Sequence, residues 1–176
     1  MTMWVFGYGS LLWNPGFEVS ERVIGTLPGY ARSFCMRSVH YRGTHDDPGL
    51  VLALDEHPEG ACEGLGLAVA AGHEDATLTY LRERELISDA YLEKYVRVQL
   101  RDGREVEAVT YVMNETHHQY AGHLPLEEQA GIIAKAHGSS GPNTEYLFNT
   151  ATHLAQVGLH DPAIDWLEQR VRALIS

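Results

Sequence analysis

Two cysteines, Cys35 and Cys62, are all that this 176-residue chain contains, so no disulfide framework is required to hold it, and no metal-ligand spacing joins the pair. No apolar run approaches the ~20 residues of a membrane-spanning helix, and the chain opens on a strand rather than on a basic, apolar leader. A soluble protein of the reducing cytoplasm is expected. Basic residues are also scarce, 13 against 24 acids, for a net charge of −11. They are scattered rather than gathered into a stripe, which argues against nucleic acid and against anionic membranes as partners. An anionic small molecule stays open, because distant surface charge is screened over about 10 Å at physiological salt; its site must supply its own positive potential. Internal repeats, low-complexity tracts and linkers are missing as well. Residues 1–176 are therefore expected to form one domain, long enough to bury roughly 70% of the surface exposed by the unfolded chain. The apolar faces can all be satisfied within such a domain, so a monomer is expected.

The first half is rich in strand signals. Apolar, β-branched or aromatic runs at 3–8, 23–27, 30–36, 50–54 and 62–70 are separated by Gly, Pro and Asp clusters such as Asn14-Pro15-Gly16 and Asp46-Asp47-Pro48-Gly49. Alternating segments at 93–100 and 105–113 flank Asp102-Gly103, which reads as a hairpin with a tight type I′ turn. Helical patterns follow at 126–137, at 143–157 and from Asp161-Pro162 to Ile175, the last opened by an acid cap and a proline. Strands first and helices last imply an α+β domain rather than a doubly wound sheet.

Two elements carry chemistry. The opening run, Trp4-Val5-Phe6-Gly7-Tyr8-Gly9-Ser10-Leu11-Leu12-Trp13, is an apolar strand ending in a glycine-bracketed tyrosine and a serine. Glycines enter left-handed backbone regions cheaply and allow close approach of a ligand, and successive free N–H groups in such a bend form a nest for a carboxylate or an oxyanion. An ordinary strand-end turn is the alternative. The second element is a helix expected over roughly 73–86, with Glu74 and Asp75 in its first turn. At about 100° per residue from Leu78, Leu81 falls near −60°, Glu85 near −20° and Glu83 near 140°. Glu85 thus shares the apolar face and Glu83 faces solvent. A carboxylate on an apolar face has its pKa raised toward the range useful to a general base. The alternatives are that the helix ends before residue 85, or that Arg82 or Arg84 pairs with Glu85 at a surface.

The Trp4 to Phe17 run, Arg42-Gly43-Thr44 leading to Pro48-Gly49-Leu50-Val51, Tyr80-Leu81-Arg82-Glu83-Arg84-Glu85, Tyr120-Ala121-Gly122, Pro125-Leu126-Glu127 and Asn143-Thr144-Glu145-Tyr146-Leu147-Phe148 together resemble the ChaC family of glutathione-specific γ-glutamylcyclotransferases. The resemblance implies a mixed-strand, barrel-like sheet with helices around it. It also implies the conversion of glutathione to 5-oxoproline and cysteinylglycine, with Val5, Phe6, Gly7, Tyr8, Gly9 and Ser10 binding the γ-glutamyl group and Glu85 as the catalytic carboxylate. One departure from the family pattern is Pro142, where many relatives carry a basic or small residue; if the family side chain there touches substrate, that contact is missing.

One base and one oxyanion site suffice for such a cyclisation, so neither metal nor cofactor is expected. Ser10 then binds rather than attacks; a covalent route through Ser10 would need a histidine placed beside it. His117, His118 and His123 read as a solvated loop rather than as a metal site. Tyr8 and Tyr146 are open between cavity wall and core, and Arg42 between a bidentate carboxylate partner and a surface charge. Other γ-glutamyl compounds as substrates, or a non-catalytic module that binds a γ-glutamyl metabolite, are the rival readings.

Overall fold

A computed structural model describes residues 2–176 of the chain. Its elements run β1 (Trp4–Gly7), a single 3-10 turn (Ser10–Leu12), β2 (Val19–Ser38), β3 (Gly49–Val69), α1 (Glu74–Glu85), β4 (Tyr91–Leu100), β5 (Glu105–Met113), α2 (Leu126–Lys135), the short pair β6 (His137–Gly138) and β7 (Gly141–Pro142), α3 (Asn143–Gln156) and α4 (Pro162–Ile175). β1 to β5 close a barrel in the order β1-β3-β2-β4-β5. The β1–β3, β2–β4 and β4–β5 pairs are antiparallel, and β1 joins β5 in parallel with Trp4 opposite Ala108 and Val5 opposite Val109. The expected α+β class with a mixed-strand barrel is what forms.

The chain divides into two compact units, Met1–Arg32 with Leu54–His117, and Ser33–Ala53 with His118–Ser176. In the first, β1 is buried throughout, and alternate side chains Trp4, Phe6 and Tyr8 enter one cluster with Leu27, Leu54, Cys62, Ala68, Val98, Leu100, Ala108 and Val112. The two-residue period of a strand sends these side chains to one face. α1 also lies in this unit, with Thr77 and Leu81 as its buried residues.

In the second unit α2, α3 and α4 pack pairwise on one another. α4 begins as its sequence dictates: the Asp161 carboxylate accepts from the N–H groups of Ala163 and Ile164 at 3.1 and 3.2 Å, and Pro162 follows it. Ile164, Leu167 and Val171 are buried while Leu174 stays exposed. The wholly buried Asn143 serves as a one-residue strand, accepting from Leu50 N–H at 2.8 Å and donating to Leu50 C=O at 2.9 Å.

Two local expectations are corrected. The runs at 23–27 and 30–36 are parts of one twenty-residue strand, β2, and those at 50–54 and 62–70 belong to one strand, β3. Pro28-Gly29 does not end β2, which runs on through an exposed Pro28 and a Gly29 at φ +84°. The β4–β5 hairpin is not closed by a type I′ turn either. Gln99 pairs with Glu105 and Leu100 N–H donates to Arg104 C=O, so Arg101, Asp102 and Gly103 form a three-residue loop in which Gly103 alone has positive φ, +98°. A type I turn closed by a left-handed glycine matches the strand twist equally well.

Candidate active site

Both elements singled out in the sequence lie in the first unit. The bend after β1 is shaped by its carbonyls. Arg32 donates from Nε to Tyr8 C=O at 2.7 Å and from Nη2 to Glu63 C=O at 2.6 Å. Gly9 C=O accepts from Leu12 N–H at 2.9 Å, and Ser10 C=O from Asn14 N–H at 2.8 Å. In a trans peptide the N–H points opposite to the C=O, so the N–H groups of Gly9, Ser10 and Leu11 are turned away from these occupied carbonyls. Neither Gly7 nor Gly9 uses the left-handed freedom expected of it; the described glycines with positive φ lie elsewhere. Their smallness serves space instead. A Cβ on Gly7 would sit 3.2 Å from Leu11 Cβ, and the space where a Cβ on Gly9 would project is empty to 4 Å, leaving room beside the N–H groups.

Val5 and Phe6 are fully buried in the barrel wall, where the Thr110 hydroxyl donates to Phe6 C=O at 3.0 Å. They anchor the bend from behind, while its reachable part is Gly9 and the exposed Ser10. Tyr8 is a core residue, 9% exposed, and its phenol donates to Tyr111 C=O at 2.9 Å.

α1 runs through Glu85, and the N–H of Leu86 closes its last turn on Arg82 C=O at 2.9 Å, so the helix does not stop short of the carboxylate. Glu83 is exposed, whereas only 17% of the Glu85 side chain is accessible. The helix arithmetic therefore separated the two acids correctly. The Glu85 carboxylate accepts no hydrogen bond among the described residues. Burial pushes its pKa above the ordinary carboxylate range, and the Arg84 guanidinium, with Nε 3.5 Å from Oε1, opposes that rise.

Arg84 is the group the sequence reading considered only as a competing surface pair. Its side chain is 19% exposed. Nη2 donates to Ser10 Oγ at 2.8 Å, and Nη1 reaches Asn14 C=O at 2.7 Å, Pro15 C=O at 3.2 Å and Tyr80 Oη at 3.1 Å. Tyr80 seats its phenol over the next residue, Gly16, where φ is +76° and an added Cβ would fall 2.0 Å from Oη. A second acid missed in the sequence is Glu93 of β4. Arg82 clasps it through Nε and Nη2, both at 3.0 Å, and the Tyr111 phenol donates to it at 2.9 Å. These bonds hold Glu93 below the ordinary carboxylate range. Burial, then the bond to Glu93, raises the Tyr111 phenol, with the Glu85 charge a smaller contributor.

In the second unit, Tyr146 Oη accepts from Leu52 N–H at 3.1 Å and its ring meets Phe34 edge-on at 6.0 Å. Arg42 donates to Pro142 C=O at 3.0 Å, lies 3.6 Å from Glu145 and sits 5.9 Å over the Tyr146 ring. Among the described residues no group of three or more His, Cys, Asp or Glu could hold a metal ion, so His117, His118 and His123 form no such group. No helix of the described residues is long and apolar enough to cross a membrane.

A sequence model of the family described as ChaC-like protein matches residues 3–174. The chain is 37% identical over 174 residues to the glutathione-specific gamma-glutamylcyclotransferase of Escherichia coli K12, spanning 99% of this chain and 74% of that protein. It is 36% identical over 182 residues to gamma-glutamylcyclotransferase 2-3 of Arabidopsis thaliana, spanning 100% and 92%. The crystal structure of a glutathione-specific gamma-glutamylcyclotransferase from yeast superposes with a TM-score of 0.84 at 24% identity, over 100% of both chains, a likeness of fold.

Proposed function

The chain belongs to the ChaC-like protein family, and from that premise we propose that it is a γ-glutamylcyclotransferase that cleaves glutathione to 5-oxo-L-proline and L-cysteinylglycine, with Glu85 as general acid and base. The observation that carries this reading is a poorly solvated carboxylate, free of hydrogen bonds and raised by burial, linked through Arg84 to the Ser10 hydroxyl on the glycine bend.

Glutathione enters with its α-nitrogen as ammonium, which cannot attack. Glu85 takes a proton from it; the freed amine adds to its own γ-carbonyl carbon, and the carbonyl electron pair moves to oxygen. The N–H groups of the Gly7–Leu11 bend hold that oxyanion or the substrate carboxylate. The tetrahedral centre then collapses, the bond to the cysteinyl nitrogen breaks, and Glu85 delivers a proton to that nitrogen. Over the cycle two protons leave the attacking nitrogen, two reach the leaving nitrogen, and no water is consumed. Attack within one molecule already carries a high effective molarity, so the protein's task is to curl the glutamyl chain and relay protons. Ser10 binds; it is not the nucleophile.

The same proposal takes residues 1–176 as a single γ-glutamylcyclotransferase-like domain, supported by the uninterrupted family match over 3–174, acting as a monomer on a small molecule. A cytoplasmic setting belongs with it, supported by Cys35 and Cys62 being buried thiols outside any disulfide. The test is release of 5-oxoproline by the purified protein from glutathione, γ-glutamyl alanine and γ-glutamyl butylamine in parallel. Glutathione is expected to turn over fastest. Turnover of γ-glutamyl alanine alone would move the substrate to another γ-glutamyl compound, and binding of glutathione without product would make the protein a non-catalytic module.

A further inference from the structure

The geometry points to Arg84 as a positioning residue that fastens the glycine bend to the last turn of α1 and, by standing beside the Glu85 carboxylate, keeps that carboxylate available as a base. This inference rests on the assignment of Glu85 above. Ser10, Asn14 and Pro15 lie 74, 70 and 69 residues from Arg84 in sequence, and all three are bound by its two terminal nitrogens at 2.7–3.2 Å. Nε, the remaining donor, faces Glu85 Oε1 at 3.5 Å, inside ion-pair range but too long for a hydrogen bond. One rigid planar fork therefore sets the separation of the two reacting elements.

The 3.5 Å spacing has a chemical consequence. A short bidentate bond would hold Glu85 permanently ionised and make it a poor proton acceptor, as Arg82 does to Glu93 through two bonds of 3.0 Å. With no cation nearby, nothing would oppose the rise that burial imposes on the Glu85 carboxyl. Arg84 occupies the intermediate position because its other nitrogens are drawn to the bend. Other charged or titratable groups around this turn are the exposed Glu83 and Tyr80 on α1, Tyr111 on β5, and the Arg82 and Glu93 pair that the Tyr111 phenol contacts.

The experiment compares wild type, Arg84→Gln and Arg84→Lys by 5-oxoproline release from glutathione between pH 6 and 9, with the Glu85 carboxyl titrated by carbon NMR. In Arg84→Gln the carboxyl is expected to titrate at higher pH, and kcat/KM at pH 6 to fall at least about tenfold more than at pH 9. Arg84→Lys keeps the charge, so its pH profile stays near that of wild type; it loses the fork, so kcat falls about tenfold at every pH. If both variants lose kcat by one factor at all pH values, Arg84 merely holds the fold together and the inference is overturned. An unchanged Arg84→Gln overturns it too. Should Arg84→Gln fail to fold, Arg84→Lys decides, since full kcat in that variant contradicts the need for a fork. Should wild type release no 5-oxoproline, the functional reading falls, and the NMR titration of Glu85 alone still supports or overturns the coupling to Arg84.

Discussion

The last turn of α1 and the start of β4 each present a glutamate of nearly equal accessibility, 17% for the Glu85 side chain and 18% for Glu93, yet their acidities move in opposite directions. Glu93 accepts two guanidinium bonds and a phenol and is held ionised; Glu85 accepts none and is raised by burial. Exposure alone does not set a carboxyl's acidity. Desolvation of the carboxyl dominates at Glu85 and hydrogen bonds to the charged form dominate at Glu93, and environments that drive two carboxyls apart suit one to proton transfer and the other to a fixed charge.

The largest expected effect sharpens that contrast. Glu85→Gln should lower kcat for glutathione by about 10²- to 10⁴-fold, the range for loss of a general acid–base group, as read by 5-oxoproline release. Next, Glu93→Gln should cost about 1–2 kcal/mol by removing charge-assisted bonds, seen as roughly 2–8 °C in Tm at neutral pH. Because the folded-state pKa of Glu93 is depressed, its contribution is complete above the ordinary carboxylate pKa and disappears as pH falls through the folded value; thermal melts at descending pH should show the two proteins converging. Glu85→Gln should do the reverse. Its raised pKa means that ionisation at neutral pH opposes folding, so the variant should melt above wild type at pH 7, and the gap should close as pH falls toward the ordinary carboxylate range. Equal or lower Tm for Glu85→Gln across that range would remove the contrast. Smallest of all, Glu83→Gln should leave kcat and stability within about twofold, as befits an exposed position; a large loss there would discredit the assignment by helix face.

Much of this was legible in the sequence, and the limits have physical causes. The helix period placed Glu85 and Glu83 on different faces because α1 is regular to its end, and Asp161-Pro162 marked the start of α4 because a cap is a local event. The sequence suggests two strands in place of β2 because Pro28-Gly29 looks like punctuation, yet the strand runs straight through it. The hairpin turn was mistaken because Asp-Gly serves more than one loop length, and register across β4 and β5 chooses between them. The sequence suggests Arg82 only as a partner of Glu85, and its union with Glu93 and Tyr111 gives no signal, since that depends on strands meeting a helix. Arg84 was hidden more thoroughly: two of its partners are backbone carbonyls, which carry no residue identity at all.

The parallel seam between β1 and β5, with Trp4 opposite Ala108, bears on how the protein is born. The strand that flanks the glycine bend finds this neighbour only once the fifth strand has been made. Joining such distant stretches is entropically slow. β1 can pair with β3 before that, so the β1–β5 seam is the later of its two pairings to form.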